Sequence, residues 1–98
     1  MDFKVLITDS ALLDLQEIVQ FVAQDDPAAA MRLGSKLIRK AMGLATMPER
    51  HVYHDAARGI RKQPISPYLI FYVCDPEAAV VHILHFWHGA RRSPGFGG

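Results

Sequence analysis

Nine consecutive residues, Val80-Val81-His82-Ile83-Leu84-His85-Phe86-Trp87-His88, constrain this chain more than any other stretch. Their β-branched and aromatic character predicts a β-strand. Strict alternation places Val80, His82, Leu84, Phe86 and His88 on one face, and Val81, Ile83, His85 and Trp87 on the other. Both faces are largely apolar, so the strand is expected to be central in its sheet and covered on at least part of each side. Gly89-Ala90-Arg91-Arg92 follows at once. A buried strand that delivers cations to its own mouth is the first place to look for function.

The other elements follow from what such a strand needs around it. Val5-Leu6-Ile7, with Phe3 and Lys4, predicts a first strand, after which Asp9 or Ser10 is placed to cap a helix. From Ala11 to Gln24, Leu12, Leu15, Ile18, Val19 and Val22 recur at helical spacing opposite Asp14, Glu17, Gln20 and Gln24. Asp26-Pro27 is an N-cap followed by a proline whose missing N–H costs nothing in a first turn. A second helix is expected from Pro27 to about Ala45. Ala30, Leu33, Leu37, Ala41 and Leu44 lie on its inner side, and Arg32, Lys36, Arg39 and Lys40 on its outer side. So short a link makes the two helices an antiparallel hairpin. Residues 48–57 have neither period and are expected to be an irregular connection. Ile60 to Ile65 reads as a strand that Pro64 confines to an edge, and Tyr68 to Cys74 as a stronger one. Asp75-Pro76-Glu77-Ala78 is a turn. The expected fold is α+β, a two-layer β-α-α-β-β-β arrangement with the helical hairpin on a mainly antiparallel sheet. The 98 residues, half of them hydrophobic, suit one domain over 1–92; the glycine-rich 93–98 is expected to be a mobile tail.

Composition removes several classes of function. No apolar run approaches the ~20 residues that span a membrane. Met1-Asp2-Phe3-Lys4 lacks the order of a signal peptide, and Cys74 is the sole cysteine, so a cytoplasmic protein is expected. A net charge of +1 and a pI near 8.0 are mild for a nucleic-acid binder; no direct sequence-specific nucleic-acid binding is expected. His82, His85 and His88 do not make a metal site: His85 points away from the other two, which are ~20 Å apart at ~3.3 Å per residue. No cofactor motif is present. Glu49, His51, His54 and Asp55 share a loop that suits an acid–base pair or a polar surface. Without a nucleophile or phosphate cradle beside them, the surface reading is the simpler. The basic residues of the second helix are most simply a solvated face. Arg91 and Arg92 differ, because they leave a rigid strand through Gly89. Joined by Arg58 and Arg61, should neighbouring strands bring those near, they could grip phosphate or acidic side chains in forked hydrogen bonds.

The chain resembles the RelE/ParE superfamily of bacterial toxin–antitoxin toxins, in its ParE-like, plasmid-stabilisation branch. The residues that carry the resemblance are Ala11, Leu15 and Ile18; Pro27-Ala28-Ala29-Ala30; the exit from Leu44 to Pro48; Gly59-Ile60-Arg61; Tyr68-Leu69-Ile70-Phe71-Tyr72-Val73; and Val81 to Arg92, an apolar strand ending in His and Arg. RelE-like members cut mRNA on the ribosome with a set of basic residues that includes an Arg after the aromatic residue of the fourth strand. Leu69 stands there, and no aromatic acid–base group matches beyond the Arg pair. Little then remains to stabilise a phosphorane. ParE-like members poison DNA gyrase and need a binding surface rather than an active site. The resemblance therefore implies a non-enzymatic gyrase poison neutralised by a ParD-like antitoxin, with no catalytic residues and with His88, Arg91, Arg92 and Arg61 as candidate target contacts. The antitoxin would fold on binding and wrap the helical hairpin and sheet. The alternatives are a RelE-like ribosome-dependent endoribonuclease and a non-toxic interaction module on the same fold.

Overall fold

The computed structural model describes residues 2–92 and 94–96. Strand β1 (Lys4–Ile7) leads into helix α1 (Asp9–Ala23) and helix α2 (Pro27–Met42), followed by β2 (Tyr53–Asp55), β3 (Ile60–Ile65), β4 (Tyr68–Asp75) and β5 (Val80–His88). The five strands form one sheet in the order β1-β5-β4-β3-β2. The β4–β5, β3–β4 and β2–β3 pairs are antiparallel, and β1 joins β5 in parallel. The helical hairpin crosses over to make that parallel pair possible. The expected two-layer α+β fold is therefore the observed one.

Three local expectations are corrected. The α1 cap is Thr8, whose Oγ1 accepts from Ala11 N at 3.2 Å; the helix begins at Asp9, before the anticipated Ala11. α2 ends at Met42 and tightens into a 3-10 turn over Gly43–Ala45, which keeps Leu44 fully buried. Residues 48–57 are not irregular throughout. A 3-10 turn at Pro48–Arg50 leads to β2, and another at Ala56–Arg58 leads back to β3. So short a strand shows no period of its own, and β2 pairs only through Tyr53↔Arg61 and Asp55↔Ile60. The Pro64 half of β3 has no β2 partner, as a proline requires.

The core lies between the hairpin and one face of the sheet. Leu15, Leu37, Ala41 and Leu44 pack on Ile65, Ile70, Tyr72, Val81, Ile83 and Phe86. The helices pack closely at Gly34, where a Cβ would stand 3.1 Å from Val19 Cγ2. Leu12, expected on the inner stripe of α1, is 43% exposed.

β5, expected to be central, is second from the edge, beside the four-residue β1, and it departs from strict alternation. Its register against β4 runs Ile70↔Phe86 and Phe71↔His85, then jumps to Tyr72↔Ile83, leaving Leu84 as an extra residue. A bulge of this kind shifts the phase of every side chain beyond it. Ile83 and Phe86 both face the helices and are buried, although strict alternation puts them on opposite faces. The far side of the sheet carries Phe71, His85 and His54. Phe96 lies against these three, with ring centroids at 5.4, 5.6 and 5.9 Å. Of the expected mobile tail, Ser93, Gly97 and Gly98 lie outside the described residues. Pro94 is buried and Phe96 is packed, so these two are not free.

Candidate functional site at the end of the fifth strand

β1 is four residues long and β5 nine, and their pairing covers only Val80–Ile83. The outer edge of β5 from Leu84 onward therefore lacks a strand partner. Buried backbone groups without partners are costly, and bare strand edges invite unwanted pairing. The start of α1 supplies the missing groups. Thr8 N and Oγ1 both donate to Ile83 O, at 3.1 and 2.7 Å. Asp14 Oδ2 accepts from Phe86 N at 3.2 Å and lies 2.7 Å from His85 Nδ1. With Asp14 ionised, His85 carries its proton on Nδ1 and donates it. Burial pushes the Asp14 carboxyl above its ordinary range, against the pull of His85 and the Phe86 amide.

Beyond this edge β5 turns sharply. Gly89 N donates to Pro67 O at 2.7 Å, and a Cβ on Gly89 would stand 3.1 Å from the same oxygen. Only glycine allows that approach without moving backbone. Ala90 N then donates to His88 Nδ1 at 3.1 Å, Arg91 N to His88 O at 3.0 Å, and Trp87 Nε1 to Arg92 O at 2.6 Å. His88 rests edge-on against Tyr68, with centroids 5.4 Å apart. Arg91 Cζ lies 5.9 Å from the Trp87 ring centre. Both arginines are exposed. His88 and Arg91 also border a groove of about 350 Å³ between α1 and the sheet, whose apolar floor includes Ile18, Phe21 and Phe86 and whose α1 wall carries Asp14 and Glu17.

The anticipated cationic cluster is thus only partly assembled. Arg91, Arg92 and His88 share one turn. Arg61 does not join them: it is in register with Tyr72, whereas His88 is in register with Tyr68. Four residues of β4 separate the two positions, roughly 13 Å at ~3.3 Å per residue, and β3 adds a further offset across the sheet. Arg61 is occupied elsewhere. Its Nη1 donates to Glu49 O and His51 O at 3.1 and 2.7 Å, its Nη2 to Tyr53 Oη at 2.9 Å, and its Cζ stacks 4.0 Å from the Tyr53 ring centre. Arg58 pairs with Asp55 in the neighbouring turn, 3.7 Å from Nε to Oδ2. Glu49, His51, His54 and Asp55 do not form an acid–base site either, since His54 stacks on Phe71 and Asp55 caps the turn through Arg58 N.

Residues 5–93 match the family model described as the ParE toxin of the type II toxin–antitoxin system parDE. The chain belongs to the ParE toxin family. It is 37% identical to Toxin RelE2 of Caulobacter vibrioides over 90 residues, which cover 90% of this chain and 97% of that toxin. The toxin fold recurs in the chromosomal ParDE system of P. aeruginosa, with a TM-score of 0.74 at 16% identity, covering 88% of this chain and 95% of the matched one. It recurs again in the RelBE2 toxin–antitoxin complex of Mycobacterium tuberculosis, with a TM-score of 0.70 at 22% identity, covering 90% and 99%. The protein is a type II toxin of the ParE/RelE group.

Two residues that shape this candidate site do not stand out in the sequence. Asp14 reads there as one more member of the polar stripe of α1. The signal that could have found it is the length difference between a four-residue β1 and a nine-residue β5, which leaves an edge in need of acceptors. Phe96 is hidden among glycines, yet a lone aromatic in a glycine-rich segment is itself a sign of anchoring.

Proposed function

We propose that this ParE-family toxin acts by poisoning DNA gyrase through a binding surface rather than by cutting RNA, and that a ParD-like antitoxin neutralises it. The single observation that carries the reading is the Gly89–Arg92 turn. It presents two exposed guanidiniums from a rigid strand, with His88 against Tyr68 and with Asp14 and Glu17 on the wall of the neighbouring groove. Arginine forks suit phosphate and carboxylate, the groups exposed by a cleaved DNA–protein intermediate. Leu69, where RelE-like relatives would carry an Arg, is in register with Trp87 and Pro64. A nuclease would need charge at that place to stabilise the transition state. His88, Arg91 and Arg92 are the proposed contacts. Arg61 is retained only as the clamp of the loop before β2.

Antitoxin docking has support in the surface of the helices. Phe21, Met31 and Leu13 are 72%, 74% and 60% exposed, an apolar load that a partner folding on contact would cover. The RelE-like reading is kept in view by the 37% relative's name, so the experiment must separate the two. Folded toxin, freed of antitoxin, is mixed with gyrase, ATP and plasmid, then treated with detergent and protease. Linear DNA that vanishes on adding antitoxin supports gyrase poisoning. Absence of linear DNA, with mRNA cleaved on added ribosomes, would overturn it.

A further inference from the structure

We propose that Phe96 is a positioning residue for the arginine turn: seated among His54, Phe71 and His85, it fastens the chain beyond Arg92 and holds Arg91 and Arg92 in place. The inference rests on the reading that these arginines touch the target. The turn is held from two sides. On the strand side, Gly89 N is bonded to Pro67 O and Trp87 Nε1 to Arg92 O. On the far side, Pro94 is buried and the Phe96 ring meets three other rings at 5.4–5.9 Å, two of them nearly edge-on. Four residues span at most ~14 Å, so a fixed Phe96 confines Arg92 to a small volume. Released at that end, the segment would keep the Pro94 contact and exposed hydrogen bonds such as Trp87 Nε1 to Arg92 O, which open readily.

The seat is built for a ring. Phe71 forms its floor and is 1% exposed. His54 comes from β2 and His85 from the bulged part of β5, so three strands contribute. His85 is itself held by Asp14 on α1. The helix layer, the strand edge and the arginine turn are therefore joined through one side chain, and Phe96 completes the connection. Offset and edge-on aromatic contacts of this kind add to area burial.

The test compares wild type with Phe96→Ala and Phe96→Tyr. Hydrogen exchange of the Trp87 indole N–H reports the turn directly, and about a tenfold acceleration is expected in Phe96→Ala and little change in Phe96→Tyr. Thermal unfolding and antitoxin affinity check that the core and the helical hairpin are intact. Growth arrest on induction without antitoxin, together with linear DNA formed by gyrase, reads the function. Phe96→Ala is expected to lose most of both, and Phe96→Tyr to restore them. Unchanged indole exchange in Phe96→Ala would overturn the fastening, and unchanged growth arrest with accelerated exchange would overturn the positioning role. If wild type arrests growth but forms no linear DNA, gyrase as target fails while the Phe96 comparison still stands on growth arrest. If wild type does neither, the exchange experiment alone decides the fastening and the target reading is the part that has failed.

Discussion

Replacing Tyr72 by phenylalanine tests how the sheet is joined to the loop before β2. Tyr72 is the largest fully buried side chain, and its hydroxyl donates to the carbonyl of Pro48, a residue that is also fully buried. The phenylalanine ring would fill the same space and leave that carbonyl without its donor, at a cost of about 1–2 kcal/mol. For a domain of this size that corresponds to a fall in Tm of roughly 4–16 °C. Burial also pushes the phenol up from 10.0 to about 12, with Arg61 and Arg50 partly opposing the shift. The folded pKa lies above the unfolded one, so the contribution to stability is whole below pH 10. It is lost as the unfolded chain ionises first and the pH climbs towards 12. The shift is worth at most about 2.7 kcal/mol, and about half of that is gone near pH 11. Urea unfolding of both proteins at pH 8 and pH 11 should therefore show Tyr72→Phe less stable at pH 8, with the gap narrowed by about 1.4 kcal/mol at pH 11. The Cys74 thiol, also raised by burial, adds to the upward push on Tyr72, so both proteins are compared in a Cys74→Ser background. Equal stability at pH 8, or a gap that does not narrow, would refute the reasoning.

Arg61→Ala is expected to cost about 1–3 kcal/mol of stability, since it removes three hydrogen bonds and the Tyr53 stack from a partly exposed site. Growth arrest per folded molecule should be unchanged, and a selective loss would return Arg61 to the contact surface. Asp14→Asn keeps one oxygen in the place of Oδ2, which serves both His85 Nδ1 and Phe86 N, but removes the charge that strengthens both bonds, and should destabilise by about 1–2 kcal/mol at pH 7 by chemical denaturation. Because burial raises the Asp14 carboxyl above 3.8, its ionisation opposes folding: wild-type stability carries a component that falls as pH rises from 3.8 through the raised folded value. That slope should be absent from the variant. Gly89→Ala puts a methyl against the Pro67 carbonyl, a backbone atom with little room to retreat. Growth arrest should weaken about tenfold while Tm moves by less than about 5 °C; an unaltered phenotype would mean that the turn tolerates displacement.

Periodicity and capping chemistry are legible wherever an element is long. α2, with Asp26 Oδ1 accepting from Ala29 N at 3.0 Å, and the buried stripe of Ala30, Leu37 and Ala41, follow directly from spacing. So does the β3-β4-β5 meander. β2 is not legible because three residues cannot display a period, and its strand character comes from Arg61 holding the preceding loop against the sheet. Of the candidate site, the arginine pair and His88 are readable from their place after a rigid strand. The exclusion of Arg61 is not, because it depends on register, and register is set by long-range pairing.

β5 is the element where the sequence pattern misleads most. Its sequence reads as largely apolar on both faces, so alternation looks safe, yet the chain has to satisfy two different neighbours along its length. Up to Ile83 it lies between β1 and β4; from Leu84 onward one side belongs to α1 instead. The bulge at Leu84 sits where that change of partner occurs. It lets Ile83 and Phe86 share the buried face, and it places His85 and the Phe86 amide within reach of the Asp14 carboxylate. A strictly alternating strand would put Phe86 on the helix-free face and leave the α1 side of the core open. Fold and candidate site are thus linked at one irregular residue: the same phase shift that closes the core turns His88 towards Tyr68 and aims the strand into the Gly89–Arg92 turn.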